Sequence, residues 1–308
     1  MNASSVAATN STIVRARFSL WTVIRAYFAI VSRLLPDLAR RQAERLFTAP
    51  PRYAGRRGQA FAARRETVVS DNHSLAVWQV GPLAAPAVLL VHGWGGRGIQ
   101  MGEFVAPLVA SGRRVVWFDQ PGHGESGRGP VALPNFVHAV HALAATHGPF
   151  EAAIGHSLGA AALGLALRGG LELGRVVLVS APASLNEHAH KFARMLGITP
   201  SIREAMRQRL ERRYDVSFAE IDRIDELARL DLPALFVHDV ADTEVPFEDA
   251  LRLSAHMHHA RLIKTYGLGH RRILRDRAVV GAIVNFIRGD VAELPAEVPA
   301  LPRPAPIY

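Results

Sequence analysis

The sequence predicts an α/β fold: a mostly parallel central sheet flanked by helices, with a short helical cap and an N-terminal helical extension. Three observations carry this. Short apolar runs, each closed by a turn signal, recur along the chain: "AVLLVHG", "RVVWFDQPG", "AAIGHS", "VVLVSAP" and "ALFVHD". Helical patterns of 10 to 17 residues separate them. Runs with no polar face belong to strands buried on both sides, and strands that alternate with helices pair in parallel. The third observation is an interruption: the 48 residues from 183 to 230 read as helix throughout, rich in Arg and Glu.

Composition sets the limits. A chain of 308 residues that is 49% hydrophobic can bury the core of one large domain. It holds no cysteine, so disulfides, thiolate metal sites and cysteine nucleophiles are excluded. The net charge of +9 is confined to one end: residues 1–66 hold 12 Arg and 3 acidic residues, and the rest holds 24 basic and 24 acidic. Only Lys191 and Lys264 are lysine, so the arginine excess reads as coding bias rather than a phosphate-binding surface, and no nucleic acid partner is expected.

Residues 1–58 read as a basic amphipathic extension and linker. From Phe18 to Leu35 apolar residues recur at helical spacing, interrupted by Arg25 and Arg33. Pro36 opens a second helix that ends near Phe47. The arginines leave no apolar run long enough to span a membrane, and no small-residue cleavage site follows. A cytoplasmic location is the expectation. Residues 18–47 also suit peripheral contact with an anionic membrane, against the simpler reading of two helices packed on the domain. Residues 49–58, "APPRYAGRRG", read as linker.

The main domain is placed at 59–289. "TVVS" and "LAVWQV" open it as two strands joined at Asp71 and Asn72. Within it, residues 183–230 form the cap insertion, where Phe192 and Leu196 are expected to limit substrate chain length. The tail, 290–308, has five prolines in 19 residues and is expected to be disordered. Nothing in the pattern fixes the oligomeric state.

The chemistry concentrates at strand ends. "AAIGHSLGAA" is a buried strand, the pattern G-x-S-x-G, and a helix. That context makes Ser157 a nucleophile-elbow candidate, on a strained turn with the helix N-terminus aimed at the site. An N-cap serine is the plainer alternative. "HGWGG" ends an earlier strand, and the backbone N–H groups of Trp94 and Leu158 would together form an oxyanion hole. "HDVADTEVP" ends a later strand with carboxylates, and "GLGHRRIL" places His270 after the next strand. Open parallel sheets build their sites at such ends.

At these residues the chain resembles the α/β-hydrolase superfamily, in its serine esterase and lipase-like branch. The likeness runs from about Thr67 to Arg288 and includes "DQPGHGES", similar to a family segment after the fourth strand. It implies Ser157 as nucleophile, Asp242 as acid and His270 as base. Asp239 immediately follows the apolar run and should turn into its own loop; Glu244 should face outward. The implied reaction is cleavage of a small-molecule carboxylic ester or thioester through an acyl-enzyme, with no organic cofactor and no metal. The alternatives are acyl transfer or C–C bond hydrolysis on the same residues, or a non-catalytic binding scaffold.

Other residues have plainer readings. His92 is expected to hydrogen-bond within the oxyanion turn, His156 to line the pocket, and Asp119 to tie down its loop. His256, His258 and His259 read as a solvated helix end rather than a metal cluster. His188 and His190 could approach substrate from the cap, and Arg271 and Arg272 read as partners of surface acids.

Overall fold

The computed structural model describes residues 20–51, 62–292 and 294–299. Nine strands form one sheet: β1 Arg64–Ser70, β2 His73–Val80, β3 Ala87–Val91, β4 Arg114–Phe118, β5 Phe150–His156, β6 Leu173–Val179, β7 Ala234–Asp239, β8 Ala260–Tyr266 and β9 Glu297–Pro299. Their spatial order is β1-β2-β4-β3-β5-β6-β7-β8-β9. β2 pairs antiparallel with β1 and β4, and every later pairing is parallel.

The apolar runs behave as strands buried on both sides. All five residues of β3 are buried. Leu89 and Val91 face one core layer and Val88 and Leu90 the other, as the two-residue period of a strand requires. Among the described residues eleven helices flank or extend the sheet: α1 Leu20–Leu34, α2 Pro36–Thr48, α3 Val105–Ala110, α4 Leu133–His147, α5 Leu158–Arg168, α6 Leu185–Leu196, α7 Pro200–Tyr214, α8 Phe218–Ile221, α9 Phe247–Ala255, α10 Gly269–Arg272 and α11 Arg277–Arg288. Leu143 of α4, Leu163 of α5 and Leu253 of α9 cover one face. Leu108 of α3 and Ile283, Phe286 and Ile287 of α11 cover the other.

Residues 183–230 hold only helices among the described elements: α6, α7, α8 and a short 3-10 turn, Ile224–Arg229. Ser184 caps α6 by accepting from Glu187 N–H. This insert shares a core with the N-terminal hairpin: Phe28, Val31, Ala39 and Ala43 pack with Ala189, Leu196, Ile202 and Met206. Arg25 Nε donates to Met195 O at 3.0 Å across the same seam. Phe192 therefore meets Phe47, ring centroids 5.1 Å apart, and Leu196 is buried against the hairpin. Both were expected to shape the substrate pocket, but the extension occupies that side of the insert.

The structure also departs from the expected tail disorder. Residues 297–299 form β9 and pair with Lys264, Thr265 and Tyr266. A proline is tolerated there because an edge position leaves one side of the strand unpaired. At the other end, the expected linker lies against the domain where it is described: a Cβ on Gly95 would stand 2.9 Å from Pro51 Cγ, and one on Gly122 3.2 Å from Pro50 Cγ. The rest of that linker, 52–58, lies outside the described residues. Among the described residues no helix is long and apolar enough to cross a membrane.

Candidate active site

β5 ends at His156, and Ser157 follows with φ 52° and ψ −125°. A non-glycine residue rarely adopts this conformation, and where it persists the surroundings impose it. They do so here by close packing. A Cβ on Gly159 would stand 2.4 Å from Val91 O, and one on Gly155 2.6 Å from Ala160 Cα. The two glycines thus let the start of α5 sit against β3 and β5. A Cβ on Gly93 would likewise meet Ser157 Cβ at 2.8 Å and lie 3.4 Å from its Oγ, so the turn after β3 runs beside the serine hydroxyl.

That turn is held by two buried histidines. His92 Nδ1–H donates to Gly93 O at 2.7 Å, and its Nε2 accepts from Gln120 N–H at 2.8 Å. Burial and the neighbouring His123 hold its pKa well below the usual range, in keeping with a neutral ring. His123 Nδ1–H donates to Pro121 O, and its Nε2 accepts from Gly95 N–H at 3.0 Å. Burial lowers its pKa to about 4. Among the described residues the N–H groups of Trp94, next to Gly93, and of Leu158, at the first turn of α5, make no hydrogen bond. Asp119 binds the next loop, accepting from Gly98 N–H and Glu125 N–H, both at 2.7 Å.

The opposite side is built on β7 and β8. Asp239 ends β7, and its Oδ1 accepts from Ala241 N–H at 3.0 Å. Its Oδ2 accepts from the Thr265 hydroxyl and Leu268 N–H, both at 2.8 Å. One carboxylate so ties the loop after β7 to the loop after β8. Asp242, three residues on, accepts His270 Nδ1–H at 2.7 Å. Its other oxygen accepts from Glu244 N–H and Val245 N–H. Burial alone would raise Asp242, but the His270 hydrogen bond and charge and these two N–H groups outweigh it, and its pKa is lowered to about 2. His238 lies beneath, donating Nε2–H to Val245 O, with that nitrogen 3.6 Å from Asp242 Oδ2.

His156, expected to line the pocket, lies buried against the base candidate His270. It is 6% exposed, its ring lies 4.7 Å from that of His270, and its Nε2–H donates to His270 O at 2.8 Å. Its burial, with the adjacent His270, lowers its pKa to about 3. His270 Nε2 points away from Asp242, with Glu244 Oε2 at 4.0 Å, and Glu244 itself pairs with Arg271 at 3.1 Å. Among the described residues the Ser157 hydroxyl has no hydrogen-bond partner. A nucleophile–base bond often closes only around substrate.

An apolar cavity of about 60 Å³ adjoins Leu158 and lies beneath the insert. Leu165, Leu185, His188, Ile221 and Leu227 help line it. His190 instead lies on Arg203. His259 pairs with Asp231, and among the described residues no cluster of three metal-ligating side chains occurs. Two contributors escaped the sequence reading. His123 sits inside "DQPGHGES", where only its placement one loop from "HGWGG" reveals a role. Asp239 was read as serving its own turn, but it also holds Leu268 N–H on the next loop.

A sequence model of the alpha/beta hydrolase family matches residues 88–290. A search of curated proteins finds no matching sequence. Among solved structures, the chain is similar to an esterase from Rhodococcus sp. at 20% identity and TM-score 0.56, covering 76% of this chain and 100% of that one. It is similar to a thioesterase domain from the curacin biosynthetic pathway at 17% identity and TM-score 0.56, covering 74% and 100%. A bacterial membrane phospholipase A gives 16% identity and TM-score 0.56, covering 86% and 96%.

Proposed function

This chain belongs to the alpha/beta hydrolase family, and from that premise we propose that it is a serine hydrolase of carboxylic esters or thioesters. The observation that carries the reading is the 2.7 Å contact of Asp242 with His270 Nδ1, on the same sheet edge as the strained Ser157.

A serine hydroxyl is a poor nucleophile until a base takes its proton. With Nδ1–H committed to Asp242, the free Nε2 of His270 is the atom able to accept it. Ser157 Oγ attacks the acyl carbon, and the N–H groups of Trp94 and Leu158 receive the oxyanion, each such donor contributing roughly 3 kcal/mol. His270 then hands the proton to the departing alcohol or thiol, and water repeats the attack on the acyl-enzyme. Asp242, ionised far below neutral pH, holds the ring and balances its charged form.

The acyl group enters the apolar cavity beside Leu158. Its volume of about 60 Å³ suits a short acyl chain of a few carbons. The likeness to an esterase and to a thioesterase is compatible with either leaving atom.

Ser157→Ala tests the reading. Wild type should hydrolyse p-nitrophenyl acetate and take up a fluorophosphonate label. The variant should do neither while keeping its fold by circular dichroism. Label that persists in Ser157→Ala removes the serine from this role.

A further inference from the structure

A second cavity, of about 920 Å³, lies apart from the apolar one. It lies between the N-terminal hairpin, α7 and the loops that follow β3 and β4. Six arginines line it, Arg41, Arg45, Arg97, Arg128, Arg209 and Arg213, against one acid, Glu44. Glu44 is held by Arg209 at 2.7 Å, and Arg97 by Glu125 at 3.0 Å. Arg41, Arg45 and Arg128 have no side-chain hydrogen bond or ion pair among the described residues.

This arrangement costs stability. Arg41 and Arg45 stand four apart on α2, as do Arg209 and Arg213 on α7, and like charges at that spacing repel. Low-dielectric walls then focus the combined field.

The cavity also adjoins the site. Its wall includes Gly96 and Arg97, directly beyond Trp94 and Gly95, and His123, which holds Gly95 N–H. Gly96 N–H donates to Gly93 O at 3.2 Å, so the wall is one tight turn from the residue that touches Ser157. The acyl cavity shares no lining residue with it and lies against Leu158 and the insert.

We propose that the six-arginine cavity beside the oxyanion turn binds a phosphate or diphosphate carried on the leaving-group side of the substrate. This rests on the hydrolase reading above. The volume suits a group of nucleotide size. Guanidinium forks match phosphate oxygens in pairs, and the three oxygens of a phosphate can engage more than one fork at once. In the reaction the acyl carbon bonds to Ser157 Oγ, its bond to the leaving sulfur or oxygen breaks, and that atom takes the proton from His270. The phosphorylated thiol or alcohol leaves through the arginine cavity, and the acid leaves after water attacks. The phosphate can arrive on a soluble thioester such as acetyl coenzyme A or on a phospholipid headgroup.

The test uses the full chain and the variant Arg41→Gln/Arg45→Gln/Arg128→Gln, whose removed groups make no ion pairs that the fold would miss. Calorimetric titration with pyrophosphate at low salt should show binding to wild type, weakened at least tenfold in the variant, with p-nitrophenyl acetate hydrolysis unchanged. Wild type should also prefer acetyl coenzyme A to S-acetylpantetheine, or phosphatidylglycerol vesicles to diacylglycerol dispersions, and the variant should lose that preference. The first pair of substrates identifies a soluble phosphate source and the second a lipid one. Pyrophosphate that does not bind wild type, or binds the variant equally, overturns the anion site. Pyrophosphate binding without any preference for phosphorylated substrates overturns its leaving-group role. Pyrophosphate binding with no p-nitrophenyl acetate hydrolysis keeps the anion site and removes the hydrolase reading instead.

Discussion

On the β7 and β8 side of the site a histidine donates to a carboxylate; on the β3 and β4 side, two histidines donate to backbone carbonyls. His270 faces Asp242 at 2.7 Å, while His92 and His123 face Gly93 O and Pro121 O. The difference lies in what the second ring nitrogen is left to do. In His92 and His123 it accepts a backbone N–H, so both nitrogens are spent and burial keeps the rings neutral. In His270 it is uncommitted. The same residue type is a strut in one setting and, in the reaction proposed, a proton carrier in the other, and the partner decides which.

Neutralising the partner is the hardest blow to this contrast. Asp242→Asn should lower kcat by about 10⁴, the scale seen when such an acid loses its charge and the ring takes the wrong tautomer. A loss below tenfold at full folding, read by stopped-flow hydrolysis, would mean that His270 does not depend on Asp242.

The strut histidines should reveal themselves through pH. Their folded pKa values are depressed, to about 4 for His123 and about 3 for His156, with His92 and His238 also lowered by burial. Below about pH 6.5 the unfolded chain binds protons that the folded chain refuses, so stability falls as pH falls. Each such ring steepens the fall by up to about 1.4 kcal/mol per pH unit until its folded pKa is reached. Urea unfolding between pH 7 and pH 5 should show a steep loss. A flat curve over that range would mean that the rings are not held neutral.

The smallest expected effect separates two neighbouring carboxylates. Asp239→Asn removes a double acceptor of Thr265 and Leu268 and should cost about 1–3 kcal/mol in stability, with far less loss of kcat than Asp242→Asn. If Asp239→Asn lowers kcat by the larger factor at an unchanged Tm, the two carboxylates have been assigned the wrong way round.

The core strands were legible because burial on both faces leaves an unbroken apolar run, and "AVLLV" has no other use. The serine turn was legible because two glycines at fixed spacing leave room for close packing. β9 was not legible: three residues ending in Pro299 owe their strand form to the adjacent β8, not to any propensity of their own. The arginine cavity was not legible either, since residues 41–51, 96–97, 122–130 and 209–213 meet only in the fold. Read along the chain, those arginines looked like compositional background. The extension was legible as two helices, but its amphipathic pattern could not say whether the apolar face meets lipid or protein.

The shared core of the hairpin and the insert bears on how the chain is made. About 137 residues separate Thr48 from Leu185, so α1 and α2 leave the ribosome long before the helices that bury Phe28 and Val31 exist. At roughly 5–20 residues per second, the hairpin waits about 7–27 seconds for its partner. During that interval strands β1 to β6 are synthesised and the hairpin's apolar face stays uncovered. A chaperone that holds nascent apolar helices has its longest opportunity there, before the insert closes over the hairpin.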